Sequence, residues 1–100
     1  MLEKEIEKFL VREVKKLGGL CYKWVSPGNA GVPDRIVLLP NRPAVFVELK
    51  TDKGKLSRLQ EVQIKKLRNL NAPVYILYGL KDVKGFIKWN SNRTDTNSTA

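Results

Sequence analysis

The chain carries few groups that can do chemistry. It has no histidine and one cysteine, Cys21. Ser-His and Cys-His nucleophile pairs are therefore excluded within one chain, as is a zinc site. Any reaction must rest on carboxylates, lysines, tyrosines or a metal ion. Asp34 stands immediately before the strand-like run Arg35-Ile-Val-Leu-Leu39, and Glu48 and Lys50 close the run Ala44-Val-Phe-Val-Glu-Leu-Lys50. Residues two apart on a strand share a face, which points Glu48 and Lys50 the same way and Leu49 the other. Two carboxylates held together repel unless a cation or a proton lies between them. A hard divalent ion such as Mg²⁺ suits such a pair, because it takes a few carboxylates and keeps several waters. Lys50 beside it would position or deprotonate a water, or neutralise charge on a phosphate. Phosphodiester hydrolysis is the chemistry this set supports. The plainer account is a solvated ion pair worth at most about 1 kcal/mol. Two features weigh against it: Glu48 directly follows an apolar strand, and Asp34 follows a glycine-bearing loop that lets backbone approach a ligand.

The elements that position these residues follow from periodicity. Leu2, Ile6, Phe9, Leu10, Val14 and Leu17 repeat at three and four, the pattern of an amphipathic helix over 2–17 that Gly18-Gly19 ends. A strand is predicted over Leu20–Val25, then a loop over Ser26–Pro33. The two strands that carry the acids are joined by Pro40-Asn-Arg-Pro43, a connection that favours an antiparallel hairpin. Their apolar centres, Ile36-Val-Leu-Leu39 and Val45-Phe-Val47, suit strands covered on both faces. If residues 38 and 44 lie opposite each other, Asp34 falls across from Glu48. A slip of one residue sets it across from Leu49, and both registers stay open at this point.

A second helix is predicted over Ser57–Leu70, with Leu59, Ile64, Leu67 and Leu70 as its inner face and Ser57 as N-cap; Gln60 completes a modest capping box. Val74–Tyr78 reads as a fourth strand, and a short helix is expected at about 81–88. The long helix between the third and fourth strands implies a parallel crossover and hence a mixed sheet. The tail 90–100 is polar and turn-rich and is expected to be disordered. Tyr22, Trp24, Tyr75 and Tyr78 are expected in or beside the core, and Cys21 as a small buried hydrophobe.

One hundred residues allow one small domain. Nineteen Lys and Arg against ten Asp and Glu give a net charge of +9, which points to a polyanionic partner. A hydrophobic content of 42% and a mean hydropathy of −0.33 fit a folded domain and not a basic disordered tail. No run of about 18 apolar residues occurs, and Met1-Leu-Glu-Lys-Glu lacks the apolar core of a signal peptide. An intracellular, cytoplasmic domain is expected.

Three segments together carry a resemblance: Gly31-Val-Pro-Asp34-Arg-Ile-Val, Val45-Phe-Val-Glu48-Leu-Lys50 and Gly54-Lys-Leu-Ser-Arg-Leu-Gln60. With Ser26-Pro-Gly ahead of the first, they resemble a stand-alone VRR-NUC domain of the PD-(D/E)XK nuclease superfamily, over about residues 3–87. The resemblance implies an α/β fold with an α-β-β-β-α-β, restriction-endonuclease-like core: one nuclease domain over 1–89 with a mixed central sheet flanked by helices. It also implies Mg²⁺ or Mn²⁺ held by Asp34, Glu48 and the main-chain carbonyl of Leu49. Lys50 would assist the attacking water, with Gln60 near the site. Related Holliday-junction resolvases often add a first-helix glutamate. Counting back from Gly18 places it at Glu7; Glu3 lies one turn earlier on the same helical face.

The expected function is a metal-dependent DNA endonuclease, selective for branched DNA such as four-way junctions and acting as a homodimer. Lys53, Lys55 and Arg58 follow the catalytic strand closely and are the candidates for phosphate contacts. Arg35 beside Asp34 is a candidate local ion pair. A viral or mobile-element source would suit so small a nuclease. The alternatives are a non-catalytic nucleic-acid-binding module and a nuclease subunit that needs a partner.

Overall fold

The computed structural model describes residues 1–92. The chain runs α1 (Glu3–Lys16), β1 (Leu20–Lys23), β2 (Arg35–Leu38), β3 (Val45–Lys50), α2 (Arg58–Asn69), β4 (Val74–Tyr78) and α3 (Gly79–Asn92). The strands form one sheet in the order β1-β2-β3-β4. β1, β2 and β3 pair antiparallel, whereas β4 joins β3 in parallel after the α2 crossover. The mixed α/β architecture is thus the one that periodicity and resemblance both imply.

Strand alternation gives the sheet two unlike faces. Val37, Val47, Leu49 and Leu77 lie on one, under Ile6, Leu10 and Val14 of α1 and Val83 and Phe86 of α3. The α1 residues recur at intervals of four, so a single stripe of the helix is buried. Each such side chain contributes about 1.5–3 kcal/mol by leaving water. Glu5 accepts the Leu2 N–H at 3.0 Å to start α1. Gly18, at φ 84°, ends it in the left-handed turn foreseen from the Gly-Gly pair.

The other face belongs to Phe46, Glu48 and Lys50 and is covered mainly by α2. Here the structure departs from the expected inner face of that helix. Ile64 is buried and Leu67 half-buried, but Leu59 is 57% and Leu70 80% exposed. Gln60 turns inward on the same stripe of α2 as Ile64 and Leu67. Leu59 then falls about 100° off that stripe, and Leu70 lies beyond the last turn. Ile36 and Leu38 are accordingly half-buried and not enclosed on both faces.

α3 is longer than the expected helix at 81–88. Its 14 residues reach Asn92, so 90–92 are helical; the rest of the expected disordered tail, 93–100, lies outside the described residues. Asp82 accepts the Tyr78 N–H at 2.8 Å near its start. At the far end Arg42, from the β2–β3 connection, donates to Asn90 Oδ1 at 2.6 Å and to its carbonyl at 2.8 Å, while Asn90 Nδ2 donates to the Phe86 carbonyl at 2.8 Å. This clamp keeps a polar residue 5% exposed and lets the helix continue. Asn90→Ala would leave the guanidinium without its side-chain acceptor. Urea denaturation is expected to show a loss of about 1–3 kcal/mol, whereas an exposed α3 substitution such as Lys88→Ala should cost well under 1 kcal/mol.

Candidate active site

The site forms where β2 begins and β3 ends. Arg35 stands opposite Val47, so one further step brings residue 34 across from residue 48. This is the register that pairs the two acids. The Asp34 backbone is held by β1, because the Trp24 N–H donates to its carbonyl at 2.8 Å. Its side chain reaches across to β3, where Oδ2 accepts the Leu49 N–H at 3.1 Å. The carboxylate thereby takes over a β3 backbone donor just outside the start of β2.

Glu48 is 1% exposed. Its Oε2 accepts from Gln60 Nε2 at 3.0 Å and lies 3.8 Å from Lys50 Nζ. Its Oε1 is buried with no hydrogen-bond partner among the described residues. Asp34, Glu48, Lys50 and Gln60 are therefore brought together. Leu49 buries its side chain in the core, while its backbone faces Asp34.

Gln60 does two jobs at once. Its Oε1 accepts the Ser57 N–H at 2.9 Å and its own N–H donates to Ser57 Oγ at 3.1 Å, a complete capping box. The remaining amide group turns to Glu48. A glutamate would cap equally well but would set a third acid against the pair. The loop before Asp34 presses on the same helix start. A Cβ at Gly31, whose φ is 93°, would come within 2.6 Å of the Leu59 carbonyl, so this position requires glycine.

Burial pushes the Glu48 carboxyl up to about 8, and the Asp34 charge acts in the same direction while the Lys50 ammonium opposes both. The charge of Glu3 adds to the rise. Glu7, the first-helix acid put forward from the resemblance, is turned elsewhere: its Oε1 lies 3.0 Å from Arg35 Nη2. Arg35 thus pairs with α1 and not with its neighbour Asp34. Among the described residues no third His, Cys, Asp or Glu forms a metal-holding cluster with Asp34 and Glu48. The Glu7–Arg35 pair joins residues 28 apart in sequence, and periodicity alone gave no sign of it.

Lys53, Lys55 and Arg58 are exposed around the start of α2. Trp24 packs on Phe46 with ring centroids 4.8 Å apart. Tyr22, expected near the core, is 55% exposed on the outer strand. Cys21 is a buried hydrophobe as expected, its thiol pushed up to about 11 by burial.

Two acids and a lysine at one end of a mixed sheet, one acid held by a helix-capping glutamine, define an α/β domain of the nuclease class. The VRR-NUC domain model matches residues 3–81, and the chain belongs to that family. It is 48% identical over 75 residues to "Putative nuclease p44" of Acyrthosiphon pisum secondary endosymbiont phage 1, covering 75% of this chain and 81% of that one. A solved structure described as a VRR_NUC domain superposes with a TM-score of 0.80 at 30% identity, over 86% of this chain and 94% of the other. A second, a VRR_NUC domain protein, shares the fold with a TM-score of 0.70 at 16% identity, over 88% and 86%.

The raised Glu48 carboxyl predicts a pH dependence of folding in metal-free protein. The folded state keeps a proton that the unfolded chain releases above its ordinary value of 4.5. The contribution is whole below that value and is lost as pH rises through about 8. Denaturation in EDTA should show stability falling over this range, and Glu48→Gln should flatten the fall. Parallel curves for the two proteins would mean that Glu48 is ionised throughout.

Proposed function

We propose that this nuclease is a metal-dependent endonuclease that hydrolyses DNA, selects branched DNA such as four-way junctions, and works as a homodimer in the cytoplasm of its host cell. The observation that carries the reading is Glu48: a buried carboxylate with one unpartnered oxygen, beside Asp34 and Lys50. That orphaned oxygen and the all-oxygen donor set fit a hard divalent ion. Mg²⁺ or Mn²⁺ would be held by Asp34, Glu48 and the main-chain carbonyl of Leu49. Such an ion, when bound, lowers the pKa of a water and offsets charge on the phosphate.

The chain's own residues supply the rest. Lys50 orients the attacking water and places positive charge beside the scissile phosphate. Gln60 fixes the Glu48 side chain, and Asp34 is fixed by the Leu49 N–H. Lys53, Lys55 and Arg58 hold the phosphate backbone leading into the site. The +9 charge supports a nucleic acid as the substrate. A phage source of the related nuclease supports action inside a host cell, and no helix among the described residues is long and apolar enough to cross a membrane. Leu20, Tyr22 and Val25, exposed along and just after the outer strand, support pairing with a second copy.

The test is incubation with a labelled four-way junction, a nicked duplex and a plain duplex, each with Mg²⁺, Mn²⁺ or EDTA. Cutting is expected with either metal, fastest on the junction and absent in EDTA. Asp34→Ala should abolish it, and Lys50→Ala should slow it by roughly 10²–10⁴-fold. Equal cutting of all three substrates would remove the junction preference. Binding without cutting under every condition would leave a binding module, or a subunit awaiting its partner.

A further inference from the structure

The basic residues of α1 play no part in the chemistry of Asp34, Glu48 and Lys50. Lys8, Arg12 and Lys15 follow one another at intervals of four and three, which sets them along one stripe of the helix. With Glu7, Val11 and Arg35 they line an open groove between α1 and the sheet. Lys23 is the register partner of Arg35 and stands on the same sheet face. The floor of the groove is built: Arg35 is tied to Glu7 at 3.0 Å and to the Cys21 carbonyl at 3.4 Å, and its buried Nε has no hydrogen-bond partner. Arg12 is steadied by Glu13 at 3.3 Å and by the Phe9 ring, 5.2 Å below its guanidinium carbon. Lys8, Lys15 and Lys23 are exposed and make no ion pair among the described residues. Glu7 and Glu13 leave the groove with a clear positive excess.

The shape suits a backbone better than a single ion. From Lys8 to Lys15 the helix axis covers about 10 Å, room for a short run of phosphates. The position matters as much. Arg35 follows Asp34 directly, so the groove opens beside the carboxylates, but α1 packs on the sheet face that carries Val47 and Leu49. Lys53, Lys55 and Arg58 lie around the start of α2, the helix that covers the face carrying Glu48. A straight duplex cannot lie along both faces of a sheet. We propose that the α1 groove is a second phosphate-binding surface, which takes one duplex arm of the nucleic acid while the α2 side takes another. This rests on the nucleic-acid reading of the site and supplies a cause for selection by shape.

Binding of a four-way junction and of a straight duplex of equal length would be followed by fluorescence anisotropy in EDTA over a salt series. Lys8→Glu with Lys15→Glu should weaken junction binding about tenfold and make the slope of log K against log salt shallower by about 1–2. The straight duplex should lose less than about threefold. The milder Lys8→Gln with Lys15→Gln should move the junction in the same direction by about half, which guards against a folding defect. Lys65→Glu with Lys66→Glu, the same charge change elsewhere, should weaken both substrates alike and slightly. Equal losses on junction and duplex, or a matching loss from the Lys65/Lys66 variant, would overturn the proposal. Cleavage in Mn²⁺ is read separately. Wild-type protein that binds both substrates and cuts neither would sink the nuclease reading alone, since the binding comparison still decides on the groove.

Discussion

Burying the Glu48 carboxylate on the α2 side of a strand flanked by two others sets the terms for everything around it. An ionised carboxylate taken out of water costs several kcal/mol unless it is paired and hydrogen-bonded. Gln60 and Lys50 meet part of that demand on one oxygen, and the other is left without a partner. The Gln60 amide is also half of the cap that starts α2, and Gly31 allows the loop before Asp34 to close against the same turn. A shift of α2 would therefore release Glu48 and unseat the loop together. The site is held rigid because one helix start serves three purposes.

This coupling explains what the sequence made legible. α1 and the acid-bearing hairpin showed themselves through long apolar runs of clear period, and the register of Asp34 against Glu48 was one of two open choices. The Ser57–Gln60 cap was visible as a local pattern. Its second role was not, because the contact with Glu48 spans twelve residues and uses the half of the amide that a capping box leaves free. Leu59 and Leu70 misled for a related reason. Apolar spacing finds a stripe, but in a helix only 12 residues long the buried stripe combines the polar Gln60 with Ile64 and Leu67, which apolar spacing alone does not reveal. The reach of α3 to Asn92 was hidden in the same way, since a run of polar residues reads as a tail until Arg42 is seen to hold Asn90.

Glu7 is the first-helix acid that the resemblance selects by position. It lies on the helix that a resolvase-like site would draw on, and counting from Gly18 selects it over Glu3. In the folded chain Glu7 pairs with Arg35, and the charge of Glu3 adds to the rise of the Glu48 carboxyl. A single helical turn separates the two, less than counting from a helix end can resolve once the end itself shifts by a residue or two.

The basic residues divide by type in a way that clarifies the +9 charge. Three of the five arginines described join elements: Arg35 fixes α1 to the sheet, Arg42 fixes α3 to the hairpin, and Arg68 donates to the Val74 carbonyl at 2.7 Å across the end of α2. Arg35 and Arg42 each use two nitrogens of the planar fork, which an ammonium group cannot match. Lysines dominate what remains, exposed along α1, around the start of α2 and on its outer side. They add little to stability as individual surface charges. Their sum is a positive field over the ends of both sheet faces, and a field of that kind raises the encounter rate with a polyanion and weakens steeply with salt. Three arginines thus tie elements of the scaffold together, while the lysines stay at the surface and supply most of the positive field.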